Sequence, residues 1–172
     1  MDLAFRKARM DDAEMLWRWA NDPGTRRNSF STSPIPYGDH VAWLQQQLGS
    51  AATSIWIFSD GPSPVGLVRM DVSGHVAEVH ITVAPEARGR AYGTAILRRA
   101  LCLLREERGD RVRARASVLP HNVSSLRLFK GCGFQEIRGV QRAQGQQTIV
   151  LELRDGAHEC ERGEHDERER DE

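Results

Sequence analysis

Long apolar runs are missing from this chain. Nowhere do about 18 or more such residues follow one another, so no membrane-spanning helix is predicted. The stretch Met1-Asp2-Leu3-Ala4-Phe5-Arg6-Lys7 likewise lacks the apolar core of a secretory signal, and a cytoplasmic protein with no membrane partner is the expectation. Cysteine is scarce: Cys102, Cys132 and Cys160 are an odd number at wide spacings, which indicates neither a disulfide framework nor a zinc cluster. Net charge is absent too, with 24 basic and 24 acidic residues. That balance hides a division, because nine acidic residues and three arginines fall between Asp155 and Glu172, which leaves the body of the chain basic. The surplus cations, almost all arginine, do not cluster with interleaved aromatics on one element, so a nucleic-acid partner is not expected. Internal repeats are also lacking.

What is present suits one ordinary domain: 172 residues, 40% of them apolar, can bury a sizeable core. Leu3 to Ala8 alternates as a first strand, and Asp11-Asp12-Ala13-Glu14 offers capping residues for a helix through Met15, Leu16, Trp17, Trp19 and Ala20. Asn21-Asp22-Pro23-Gly24 stops it, and the polar, aperiodic segment from Thr25 to Tyr37 is predicted to be a surface loop. A second helix from about Gly38 carries Val41, Trp43, Leu44 and Leu48. Three strands follow, Ser54 to Phe58, Val65 to Val72 and Val76 to Val83, joined by turn signals as an antiparallel meander. A helix through Ile96, Leu97, Ala100, Leu101, Leu103 and Leu104, a strand from Arg111 to Leu119, a short helix to Lys130 and a last strand, Thr148 to Leu153, complete the order. The tail from Asp155 to Glu172 has almost no apolar residues and is expected to be disordered; His158, Cys160 and His165 could ligate a metal there, but a solvated tail is the plainer reading.

The most informative stretch runs from Val79 to Leu97: a β-branched strand, a break at Pro85, a glycine-containing turn and the first turns of a helix. A loop entering a helix leaves amide hydrogens unpaired and pointing outward, where anion oxygens can satisfy them. Gly89 and Gly93 allow close approach to the main chain, and Arg88 and Arg90 add charge where the helix dipole already favours an anion. This Arg88-Gly89-Arg90-Ala91-Tyr92-Gly93 stretch resembles the pyrophosphate-binding motif of the GNAT N-acetyltransferase superfamily, [Gln/Arg]-x-x-Gly-x-[Gly/Ala]. Ala91 departs from it, standing where the family has its middle glycine; its methyl is tolerable at negative φ and harmful if a diphosphate must touch its Cα.

A second signature supports the first. Asn122-Val123-Ser124-Ser125-Leu126-Arg127-Leu128-Phe129-Lys130-Gly131-Cys132-Gly133-Phe134 is similar to the family's Asn-x-x-Ser-x-x-x-Tyr-x-x-x-Gly-Phe. Asn122, Ser125 and Phe129 share one helical face at i, i+3 and i+7. The resemblance covers residues 3 to 153 and implies an α/β (α+β) GNAT fold. That fold is a single mixed, mostly antiparallel sheet of about seven strands flanked by about four helices, with splayed central strands that admit the pantetheine arm. Residues 1–154 would form this domain and 155–172 the tail. The implied co-substrate is acetyl-CoA, with no metal. Its candidate ligands are Ile81, Thr82 and Val83 on the strand, Arg88, Gly89, Arg90, Ala91, Tyr92, Gly93 and Thr94 on the turn, and Asn122, Ser125, Phe129 and Lys130 beyond. Phe129 replaces the family's tyrosine, which protonates the departing thiol; Tyr92, His121 and Cys132 are the candidates to take its place.

Strand alternation puts Glu78, His80 and Thr82 on one face, opposite Val79, Ile81 and Val83. In the family this strand often carries the proton acceptor, which makes Glu78 and His80 the general-base candidates. A purely structural part stays open for both, Glu78 paired with an arginine and His80 hydrogen-bonded in the sheet. In the amino-terminal third, Trp17, Asn21, Arg26 and Ser29, then His40 and Trp43, resemble acetyltransferases acting on amino-sugar nucleotides, as in the pseudaminic acid route, and are the acceptor-binding candidates. The aromatics could stack on a sugar or base, and Arg26 or His40 could meet a diphosphate, although Trp17 and Trp43 at helical spacing also fit a core. The expected function is acetyl transfer to a primary amine of a small molecule by a monomer or homodimer. A peptide N-terminal acetyltransferase and a non-catalytic acyl-CoA-binding domain are the alternatives.

Overall fold

The computed structural model describes residues 2–109, 111–137, 141–143 and 145–153. Among these residues eight strands and five α-helices follow in the order β1 (Ala4–Lys7), α1 (Ala13–Asn21), α2 (Pro23–Arg27), α3 (Tyr37–Leu48), β2 (Thr53–Asp60), β3 (Ser63–Ser73), β4 (Val76–Val83), α4 (Tyr92–Arg108), β5 (Arg113–Val118), α5 (Val123–Gly131), β6 (Phe134–Glu136), β7 (Gln141–Ala143) and β8 (Gln146–Leu153). The sheet order is β1-β2-β3-β4-β5-β8-β6, with β7 against β8, and every pair is antiparallel except β4 with β5. This is the mixed α/β architecture expected, with its one parallel seam in the middle.

That seam is short. Only Val76, Ala77 and Glu78 of β4 pair with Arg113, Ala114 and Arg115 of β5, and beyond Glu78 the two strands part. On the other side β4 stays paired with β3 along its whole length, so Arg69 lies directly opposite His80 and Leu67 opposite Thr82. Alternation then divides β4 between two layers. Val83 faces α4 and α5, where it touches the Gly93 position, whereas His80 and Thr82 face α1 and α3. α4 presses closely on β3: a Cβ at Gly66 would lie 2.6 Å from the Thr82 carbonyl and 2.8 Å from Ile96 Cδ1. Ile57, Phe58, Val68, Met70, Ile96, Leu97 and Leu151 are fully buried between these layers, each contributing about 1.5–3 kcal/mol.

Two local expectations are corrected. Asp12 does not cap α1 through its side chain. Its buried carboxylate instead receives both Arg6 Nη atoms, at 2.8 and 2.7 Å, and the Arg9 amide at 2.8 Å. The stretch from Thr25 to Tyr37 is not loop throughout, because α2 occupies its start: Asp22 accepts from the Thr25 amide as N-cap and Pro23 takes the first position, where a missing N–H costs nothing. The acidic tail, with His158, Cys160 and His165, lies outside the described residues.

Candidate active site

Where β4 and β5 part, a groove of about 860 Å³ opens. Val79 to Val83 form one wall, Ser117 to Leu119 the other, and Asn122, Ser125 and Phe129 of the second signature lie along it. Gly89, Ala91, Tyr92, Gly93 and Thr94 close one end. The chain turns into α4 through two left-handed residues, Gly89 at φ +77° and Ala91 at φ +62°, Ala91 being the one non-glycine residue with positive φ among those described. The condition under which its methyl would be harmless is therefore not met, and the turn holds a Cβ in a conformation that costs roughly 1 kcal/mol. As N-cap, Ala91 offers no side-chain oxygen; the Thr94 amide donates to the Ala91 carbonyl at 3.2 Å, and the Tyr92 and Gly93 amides before it are left to whatever lies in the groove.

The signature residues divide between lining and support. Arg88 lines the groove but its guanidinium is engaged, with Nη1 2.7 Å from Asp22 Oδ2 and Nη2 donating to Thr25 Oγ1 at 2.8 Å. Arg90 is exposed and does not line the groove. Tyr92 gives its hydroxyl hydrogen to Asp60, and that bond holds the phenol pKa above its ordinary value. Asn122 caps α5, accepting from the Ser125 amide at 3.2 Å and from Ser124 Oγ at 3.0 Å. Phe129 is buried edge-on against Phe134, ring centroids 5.0 Å apart. Lys130 points away, 3.6 Å from Glu136. His121 contacts the Arg27 carbonyl at 2.9 Å, and Cys132 is a buried thiol whose pKa burial pushes up; neither lines the groove.

A second cavity, about 490 Å³, lies on the α1 and α3 side of the sheet. Leu16, Trp19, Ile35, Trp43, Ile55 and Leu67 form its apolar wall, and Arg26, Ser29, Asp39, His40, Arg69 and His80 its polar part. It joins the groove, since Thr25, Arg26, Ser29, Arg69, His80 and Thr82 line both. Trp17 and Asn21, expected in the acceptor site, line neither cavity. They hold the 28–36 segment instead: Trp17 Nε1 donates to the Ile35 carbonyl at 2.7 Å, and the Asn21 amide bridges the Ile35 N–H and C=O at 2.7 and 3.1 Å. Arg26 does similar work, donating to the carbonyls of Ser31 and Ser33 and to Ser29 Oγ. His40 is buried beside Trp43, and burial, opposed by a backbone contact with Ala13, keeps its pKa low and the ring neutral. Trp19, Asp39 and Arg69 were not among the acceptor-site candidates; only the phases of α1 and α3 and the cross-strand register of β3 could have indicated them.

Of the two base candidates, His80 stands at the junction and Glu78 does not line either cavity. His80 Nε2 is 3.4 Å from Asp71 Oδ2 on the neighbouring strand. Burial works against the Asp71 charge, but contacts with His80, Arg69 and Thr53 outweigh it and hold the carboxyl below its usual range. Arg69 Nε lies 2.9 Å from the same oxygen without hydrogen-bond alignment, and the guanidinium sits over Trp43, 5.4 Å from the ring centroid.

A parted sheet edge with uncapped helical amides at its end, opening onto a second chamber beside an imidazole, is the layout of a two-substrate acyltransferase. The family model described as an acetyltransferase (GNAT) domain matches residues 2–135, and the chain belongs to that family: it is an acetyl-CoA-dependent N-acetyltransferase. A search of curated proteins found no sequence match. Among solved structures, an aminoglycoside acetyltransferase, AAC(6')-Ib, in complex with coenzyme A and kanamycin is similar at TM-score 0.77 and 18% identity, covering 91% of this chain and 96% of that one. Spermidine N-acetyltransferase from Vibrio cholerae in complex with CoA and spermine gives 0.72 and 18%, covering 87% and 92%. An uncharacterized protein from Bacillus halodurans gives 0.75 and 20%, covering 88% and 83%. At such identities the likeness shows the fold. The groove fits an acyl donor of this kind on its own features, the strand edge of β4 released after Glu78 and the uncapped start of α4.

Proposed function

We propose that the chain acetylates the primary amine of a small molecule seated in the 490 Å³ cavity, by direct attack in a ternary complex. Acetyl-CoA, when bound, supplies an acetyl thioester. The observation that carries this reading is the junction itself: six residues, His80 among them, line both cavities, so an amine in one stands beside whatever lies in the other. His80 takes the proton that the amine loses on attack, and Asp71 steadies the imidazolium that results. Arg69, opposite His80, disfavours a second cation nearby and so favours the neutral, nucleophilic amine.

Phe129 leaves the chain without a phenol at the leaving-group end, and none of the three substitutes considered serves among the described residues: Tyr92 is committed to Asp60, and His121 and Cys132 lie off the groove. A thiol of pKa about 8.5 is a fair leaving group without such help.

Nucleotide-linked amino sugars are acceptors that suit this cavity, with Trp19 and Trp43 as ring faces and Arg26 and Arg69 as cationic ends. A peptide N-terminus suits it less, because Ser29 and Ile35 bring the 28–36 segment into the wall where an open peptide channel would run. One catalytic domain over residues 1–154 with an acidic appendage, 155–172, completes the reading. Its test is release of free thiol from acetyl-CoA in the presence of small amines and of peptides. Turnover with small amines is expected, and turnover with peptides alone would overturn it.

A further inference from the structure

Four buried side-chain nitrogens lack a hydrogen-bond partner among the described residues: Arg26 Nε, His40 Nε2, Arg69 Nε and Trp56 Nε1. Three of the four belong to residues lining the one cavity read above as the amine site. A buried polar atom left unpaired is costly; Arg69 Nε has Asp71 Oδ2 2.9 Å away, so Arg26 Nε and His40 Nε2 are the two in this wall with no counter-group among the described residues.

The charge of that wall says what the ligand carries. Two guanidiniums, Arg26 and Arg69, face one carboxylate, Asp39, with His40 and His80 as the remaining titratable groups. Asp71 lies behind Arg69 and is shared with His80 and Thr53, so it answers only part of the Arg69 charge. Arg26 and Arg69 both stand at the junction, and Arg69 is the cross-strand neighbour of His80, which puts its Cβ about 5 Å from that of the base. A polycation needs several carboxylates, and this lining offers one.

We infer that the acceptor is an amine bearing an oxyanion, a carboxylate or a phosphate, within a few bonds of the nitrogen, and that Arg69, assisted by Arg26, receives it at the junction of the cavities. His40, neutral, accepts from a hydroxyl or N–H on the acceptor's body. The inference rests on the second cavity being the amine site.

The test uses matched acceptors on the full chain: phenethylamine against phenylalanine for a carboxylate, glucosamine against glucosamine 6-phosphate for a phosphate, and spermidine and kanamycin as polycations. The anionic member of one pair should show kcat/KM higher by about tenfold or more, the size of a charge-assisted contact, and the pair that responds names the anion. Arg69→Gln should erase that preference by raising the acceptor KM while the KM for acetyl-CoA stays within about twofold. Arg69→Lys, which keeps the charge, should retain part of it and guards against a variant that fails to fold. Preference for spermidine, kanamycin or the pair members that lack the anion would overturn the inference. So would an Arg69→Gln defect confined to acetyl-CoA, which would give the guanidinium to the thioester arm. If no amine turns over, the amine-site reading itself falls. Calorimetry with phenylalanine and glucosamine 6-phosphate in the presence of CoA then decides the anion site separately: heat that depends on Arg69 sustains it, and its absence removes it.

Discussion

Arg88, from the turn that enters α4, reaches Asp22 at the start of α2, its Nη1 2.7 Å from Oδ2. The donor-side turn is thereby tied to the helix whose Thr25 and Arg26, with Ser29 just beyond, line both cavities. Arg88→Ala should therefore raise the KM for acetyl-CoA and for the amine together, each about two- to fivefold, as suits an ion pair that is partly exposed. Steady-state kinetics with both substrates varied checks this; a change in acetyl-CoA alone would confine Arg88 to the donor.

His80→Gln should lower kcat by about a hundredfold or more, leave acetyl-CoA affinity unchanged, and flatten the acid limb of the pH–rate profile. Glu78→Gln should behave nearly as wild type, since Glu78 lines neither cavity. Loss of activity in the Glu78 variant with a normal His80 variant would reverse the assignment.

Ala91→Gly relieves the left-handed turn at φ +62°. A gain of roughly 1 kcal/mol in stability is expected, read as a higher thermal midpoint. The same change restores the family's glycine, so acetyl-CoA should bind at least as well.

Gly66→Ala works in the other direction. Its Cβ would meet the Thr82 carbonyl at 2.6 Å and Ile96 Cδ1 at 2.8 Å, an overpacking cost of about 1–3 kcal/mol. Because the displaced strand carries His80, kcat should fall along with the denaturation midpoint.

Acid should unfold the protein through its paired carboxylates. The Arg6 hydrogen bonds, opposed by burial, hold Asp12 below its ordinary pKa, and Asp22 is held low by Thr25 and Arg88 against burial. A depressed carboxyl contributes stability that is complete above its unfolded pKa, near 4, and is lost as pH falls through the lower folded value. Asp12→Asn should therefore cost on the order of 1–2 kcal/mol at pH 7 and much less at pH 2, measured by denaturant midpoints at the two pH values.

Much of the fold and of the groove's lining could be read from local signals. The Gly89-to-Gly93 turn, the one-face spacing of Asn122, Ser125 and Phe129, and the alternation of β4 are properties of neighbouring residues, and the structure brings all of these to one groove. What escaped depends on distant partners. Glu78 and His80 share a face of β4, yet the parting of β4 from β5 begins between them, and only pairing with β5 decides that. Arg69 entered the site through its register with His80, which no local pattern encodes. Trp17 and Trp19 differ only in the phase of α1, so Trp19 lines the cavity and Trp17 anchors the loop above it. The start of α2 was local and legible: Asp22-Pro23 signals a helix beginning as well as an ending.

Beyond Glu78 the edge of β4 that turns toward β5 is bare main chain. Recognition along a peptide edge is blind to side-chain identity, so a groove proposed to hold the thioester there can keep its specificity while residue after residue around it drifts. The cavity proposed for the amine, built largely from side chains of α1, α2, α3, β3 and β4, has no such immunity, and on that proposal each replacement there rewrites which amine is accepted. A single scaffold can thus diversify its acceptors without relearning its donor.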